Sequence, residues 1–219
     1  MTKPQILREE CSSKDYILSL IICLVIFGIT FYGNEYLAGL RKPAHVLAFE
    51  WERRIPYIQW FFIIYFGIFF LPAMVPVLIK KKKDLFNLTR QIVFVSLVSG
   101  LIFFFYNTHS IYPSSTSDST FETLKVNITG RYNLFPSLHV AFSLLLLKPL
   151  RKYSSYNMNI FFTILAVLLI LSTVFTHQHH VPDIIGGIFL FVVSQFVFPY
   201  EFQYKQQRFF NKGKGLKQE

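Results

Sequence analysis

Two histidines and one carboxylate stand out by type and spacing, in the segments Phe135-Pro136-Ser137-Leu138-His139 and His179-His180-Val181-Pro182-Asp183. Each segment lies where a polar loop gives way to an apolar run. Neutral imidazole can attack phosphorus at ordinary pH, and a second imidazole can carry a proton to a leaving alcohol. A neighbouring carboxylate fixes the tautomer of the attacking ring and stabilises the cation that forms. The set therefore suits phosphoryl transfer through a phosphohistidine, with His179 as nucleophile, Asp183 as its orienting partner and His139 as general acid. In the second half-reaction His139 becomes the base that activates the acceptor. For either histidine alone, capping a helix end or binding water is the competing reading. A metal held by His177, His179 and His180 is a further one, but the cluster offers no open facial geometry.

The prolines say how these side chains are carried. Pro136 is suited to the first position of a helix, with His139 about one turn in. Pro182 opens the next such helix, with Asp183 in its first turn and His179 four residues earlier, where the two share a face. Two helix starts would then aim unpaired N–H groups at one recessed spot, an arrangement that attracts phosphate. Pro136, Ser137 and His180 are expected to contact that phosphate beside the three catalytic residues. No metal or other cofactor is expected to be needed.

The rest of the chain reads as a membrane scaffold. Of its 219 residues 53% are hydrophobic and 26 are Phe, and the mean hydropathy is +0.41, which points away from a soluble domain. Apolar runs fall at about 16–32, 57–79, 91–107, 137–150, 159–177 and 183–200, most of them near the ~20 residues a spanning helix needs. The fold expected is all-α, a six-transmembrane-helix bundle. Pro72 and Pro76 should bend its second helix. A short N-terminal arm (1–15) and a basic tail (201–219) flank the bundle at 16–200.

Net charge is +10, but the basic residues sit between apolar runs, so they read as topology signals and not as a nucleic-acid surface. The arm, the 80–90 and 148–152 connections and the tail hold 16 of the 22 Lys and Arg. Both termini should accordingly be cytoplasmic, with the histidine segments facing outward. Cys11 and Cys23 form no metal or disulfide spacing. Asn127-Ile128-Thr129 fits a glycosylation acceptor in the long 109–135 loop. The partners expected are the bilayer and a lipid substrate.

With these residues in hand a resemblance emerges. Pro136-Ser137-Leu138-His139 resembles the second signature of the type 2 phosphatidic acid phosphatase superfamily. His179-x-x-x-Asp183 resembles the end of its third, with Ser172 at the upstream serine position. The resemblance implies six membrane helices and a histidine nucleophile at the position of His179. The family's first signature, Lys followed by Arg-Pro, is absent, and Thr173 replaces the arginine that should follow Ser172. Lys125 and Arg131 in the long loop, or Arg53 and Arg54, are candidates to supply the missing charge on the phosphate. Asn133 to Ala141, the Gln178-His179-His180 run and Arg54-Ile55-Pro56-Tyr57 look similar to the inositol phosphorylceramide and sphingomyelin synthase branch. That likeness implies transfer of a phospho-headgroup to a lipid alcohol, with simple phosphatase action as the alternative. A non-catalytic lipid-binding scaffold is the reading from another class. Transport is disfavoured by the scarcity of charge within the spans.

Overall fold

A computed structural model describes residues 9–41, 45–112 and 132–199. The regular structure in them is helical. Six helical segments follow one another: α1 (Ser13–Arg41), α2 (Phe61–Leu78), α3 (Lys82–Phe105), α4 (Leu138–Tyr153), α5 (Tyr156–Phe175) and α6 (Val181–Val197). Among them α1, α2, α3 and α5 are long and apolar enough to cross a membrane; α6, with 17 residues, and α4, with 16, are shorter.

Local chemistry explains where the elements start and bend. Ser12 caps α1, its hydroxyl accepting the Asp15 N–H at 3.3 Å while the Asp15 carboxylate accepts the Ser12 N–H at 2.9 Å. This reciprocal cap starts the helix three residues before the apolar run at Tyr16. Within α1, Gly28–Tyr32 forms a π turn. Beside it Gly100 of α3 comes so close that an added Cβ would lie 2.8 Å from the Thr30 Cβ. As the prolines predict, α2 is interrupted: a 3₁₀ turn occupies Gly67–Phe69 and the helix breaks at Met74. Pro72 and Pro76 each withhold an N–H from the helical ladder.

The 80–90 segment differs from expectation. It is no loop: α3 begins at Lys82 and carries Lys83, Asp84 and Arg90 on its first turns. Asp84 explains the early start, because the Lys152 ammonium bonds its carboxylate at 2.7 Å and the Tyr153 hydroxyl donates to the same oxygen. The arm joins this end as well, through Cys11 N–H to the Lys80 carbonyl (2.8 Å) and Lys82 N–H to the Glu9 carbonyl (3.1 Å). Gln91 reaches the Phe198 carbonyl after α6 at 2.9 Å. The arm, the start of α3 and the ends of α4 and α6 thus meet at one end of the bundle. The two histidine segments, at the starts of α4 and α6, lie at the other.

The core is made by α4. It packs on α3, α5 and α6 and contributes Leu138, Ala141, Leu145, Leu146 and Leu150 to a buried cluster with Val95, Phe162, Leu169 and Leu190. Those apolar contacts hold the helix whose first turn carries His139. Lys125, Arg131 and the Asn127 triplet fall outside the described residues.

Candidate active site

The site is assembled where α4 and α6 begin and α5 ends. At the end of α5 the Thr173 carbonyl accepts the N–H groups of Gln178 and His179 at 2.9 and 3.1 Å, folding the chain back on the helix end. His177 takes a left-handed φ of 55° at this turn. Its ring stacks on Tyr112 at 3.6 Å and its Nε2 donates to the Ile55 carbonyl at 3.0 Å. These contacts hold a backbone conformation that a histidine seldom adopts.

His179 therefore arrives buried, with a defined tautomer. Its Nδ1 lies 3.1 Å from the Leu134 carbonyl and 3.6 Å from Asp183 Oδ2. A carbonyl oxygen can only accept, so Nδ1 carries the proton and Nε2 keeps its lone pair. Asp183 Oδ2 accepts the His180 N–H at 2.7 Å, which caps α6. Asp183 Oδ1 is buried and has no partner among the described residues.

The 132–137 segment that supplies the Leu134 carbonyl is pinned on several sides. Thr108 Oγ1 accepts from the Leu134 and Phe135 N–H groups at 3.1 and 3.2 Å. Asn133 donates to the Phe31 carbonyl of α1 at 3.0 Å. Ser137 N–H donates to the Asp183 carbonyl at 3.0 Å, joining the two motif segments through backbone. Their closeness depends on glycine: a Cβ on Gly187 would lie 2.5 Å from the Ser137 carbonyl oxygen, and one on Gly186 2.5 Å from the Phe135 ring. This glycine pair therefore serves close helix packing.

Two expectations about the helix starts need correction. Pro136 is not the first helical residue of α4. Ser137 is the cap, its hydroxyl accepting the Val140 N–H at 3.3 Å, so the proline precedes the cap and the helix opens at Leu138. The start of α6 is not a free anion site either. The Val181 N–H already donates to Glu52 Oε2 at 3.1 Å, and Pro182 has no N–H to offer. Glu52 holds the place a phosphate was expected to take.

Glu52 is the residue that sequence reasoning missed. It belongs to a 3₁₀ turn, Glu50–Arg54, and is fully buried. Oε1 accepts the Phe49 N–H at 2.9 Å, and Oε2 is 3.0 Å from His180 Nδ1. The Ile111 N–H donates to His180 Nε2 at 3.3 Å. His180 therefore protonates on Nδ1 and donates to Glu52, with both nitrogens engaged. Tyr112 stacks on the same ring at 5.0 Å and donates its hydroxyl to the Glu52 carbonyl at 3.2 Å. Burial and the Glu52 charge push that phenol up to about 12. The only advance signal for Glu52 was its place beside Glu50 and the Arg53-Arg54 pair.

Beside His179 a cavity of 280 Å³ opens into the bundle, and His139 lines the same wall. His139 stacks on Tyr65 of α2 at 4.2 Å, and its Nε2 is buried with no partner among the described residues. Pro136, Ser137 and His180 do not line this cavity, and neither does any Lys or Arg among the described residues. Arg53 pairs with Glu50 at 3.0 Å on the surface, and Arg41 sits over the Phe104 ring at 4.2 Å. The structure thus brings His139, His179 and Asp183 together and turns His180 away. Ser172 and Thr173 donate their hydroxyls to carbonyls of their own helix, at Leu169 and Ile170.

These features belong to a membrane enzyme of the lipid phosphatase type. The family profile described as the PAP2 superfamily matches residues 36–197, so the chain is a member of that superfamily. No curated protein matches the sequence.

Proposed function

We infer that this chain is an integral membrane phosphotransferase that forms a phosphohistidine on His179, crosses the membrane six times with cytoplasmic termini, and works at the outer face. The observation that carries the reading is the Nδ1–H bond of His179 to the Leu134 carbonyl, with Asp183 close behind, which leaves Nε2 as the one nucleophilic atom.

In the first step Nε2 attacks phosphorus and forms the P–N bond as the P–O bond to the lipid alcohol breaks. His139 delivers its Nε2 proton to the departing oxygen. Among the described residues no carboxylate lines the cavity, so the anionic substrate itself supplies the counter-charge for a protonated His139. In the second step neutral His139 takes the proton from the acceptor hydroxyl, whose oxygen attacks phosphorus, breaks the P–N bond and restores His179. Asp183 stabilises the imidazolium that persists between the steps. This chemistry requires no metal.

A lipid alcohol is the acceptor we favour over water, on two supports. The cavity beside Nε2 is bounded mainly by aliphatic and aromatic side chains, which limits water at the phosphoenzyme. The resemblance to the inositol phosphorylceramide and sphingomyelin synthase branch, which shares the loss of the Lys…Arg-Pro signature, points the same way. Without a cationic clamp on the described wall, a singly charged diester suits the site better than a dianionic monoester; Lys125 and Arg131 are the remaining candidates for that clamp.

The test is mass spectrometry of the protein trapped with a lipid donor. An adduct on His179 is expected, and its mass tells phosphate from phospho-headgroup. Labelled donor with and without diacylglycerol or ceramide then separates the acceptors. Free phosphate released at a rate indifferent to added lipid alcohol would establish the phosphatase. No turnover by the unaltered protein, with lipid profiles unchanged by His179→Ala and His139→Ala, would leave a non-catalytic scaffold.

A further inference from the structure

Below the histidines the space continues. The 280 Å³ cavity shares Leu20, Cys23, Pro72, Ile92 and Leu146 with a second cavity of 460 Å³ that runs toward the inner end. Tyr16, Ser19 and Thr89 line the far part of it. One face of α1 follows the whole length, through Tyr32, Phe31, Phe27, Leu24, Leu20 and Tyr16, at the spacing of a single helical stripe. Helix α1 packs on α3, and α2 packs on α4 and α5. The groove lies in the gap between α1 and α2.

Its depth is the informative quantity. From Tyr32 to Tyr16 the helix rises ~24 Å at ~1.5 Å per residue. One leaflet of hydrocarbon is about half of ~30 Å, or ~15 Å. A tail hanging from a phosphate at His179 and confined to one leaflet would end near Cys23, ~14 Å below Tyr32. The inner cavity lies beyond that point. An apolar tail gains nothing from leaving lipid for an apolar groove, so the groove selects by fit and not by hydrophobicity. A short tail would leave the inner walls without contact atoms and forfeit their dispersion attraction.

We propose that the groove between α1 and α2 holds a single lipid tail longer than one leaflet, attached to the phosphate that His179 engages. The proposal rests on the phosphotransfer reading for its headgroup and on the two joined cavities for its tail. Residues at the neck set the length: Cys23 and Leu146 mark where an ordinary tail stops and a long one continues.

Cysteine alkylation at two depths tests it. Native Cys23 reports the neck in a Cys11→Ser background, and Ser19→Cys reports the inner cavity in a Cys11→Ser, Cys23→Ser background. The full chain in phosphatidylcholine nanodiscs is treated with N-ethylmaleimide, alone and with a short alkyl or a long polyprenyl methyl phosphodiester. Labelling at position 19 is expected without added phosphate lipid. The long-tailed phosphate should slow it about tenfold at saturation, and the short one should leave it unchanged. Equal protection by both lengths, by neither, or no labelling at position 19 to begin with would overturn the proposal. Repeating the long-tail arm in His179→Ala separates the two readings. Protection that persists while turnover disappears supports both. Protection alongside turnover indifferent to His179 keeps the groove and removes the mechanism. Turnover that needs His179 without protection does the reverse.

Discussion

Two histidine–carboxylate pairs stand side by side at the start of α6, and they are built to opposite ends. His180 spends both nitrogens, one on Glu52 and one on the Ile111 N–H, and is 1% exposed. His179 spends only Nδ1, and its ring opens on a cavity. Glu52 satisfies three donors from two stretches of chain, whereas Asp183 leaves one oxygen unpaired among the described residues. The difference teaches that a saturated pair serves as a fastening and, on the proposed mechanism, that a half-used pair serves as the reagent. Adjacent identical side chains take these separate roles because the loops they face differ.

The sharpest way to break the comparison is to truncate each histidine in turn. His179→Ala should lower lipid turnover by about 10³-fold or more, since the nucleophile is lost. His180→Ala should keep turnover within about tenfold of the parent and show its effect in thermal unfolding, because the fastening is lost and the nucleophile stays. Equal loss of turnover in the two variants would erase the distinction. His139→Ala should cost about 10²–10⁴-fold with an alcohol leaving group. A nitrophenyl leaving group needs no proton, so it should restore much of the loss; failure to do so would remove His139 from the acid role.

Smaller effects probe the fastening. Glu52→Ala orphans the donors at Phe49, His180 and Val181, at roughly 1 kcal/mol or more each, so unfolding in detergent should be easier by about 3 kcal/mol. Gly187→Ala places a methyl group against the Ser137 carbonyl and should cost about 1–3 kcal/mol while parting the two helix starts. A variant as stable and as active as the parent would show that this contact can give freely. Last, excess chelator should change turnover by no more than about twofold, because imidazole is the nucleophile. A strict divalent-metal requirement would count against the phosphohistidine.

Much of this was legible in the chain because it is local. The His179-to-Asp183 spacing, the proline breaks in α2 and the six apolar stretches all reside within a few turns of sequence. What escaped notice is long-range. Glu52 meets His180 across 128 residues, and Thr108 supports Leu134 across 26; nothing near either residue announces its partner. Pro136 lies two positions before the first helical residue because Ser137, itself a good cap, takes the helix start. The Lys80–Lys83 run suggested a loop, yet Asp84, Lys152 and Tyr153 bind those first turns into α3. Charge patterning alone does not reveal such a cluster.

The backbone bond from Ser137 to the Asp183 carbonyl has one more consequence. On the proposed mechanism it fixes the separation of acid and nucleophile by peptide geometry, for as long as Gly186 and Gly187 permit the approach. On that mechanism the 109–135 connection can change length or charge outside its pinned residues, Ile111, Tyr112, Asn133 and Leu134, while the reacting pair stays in register.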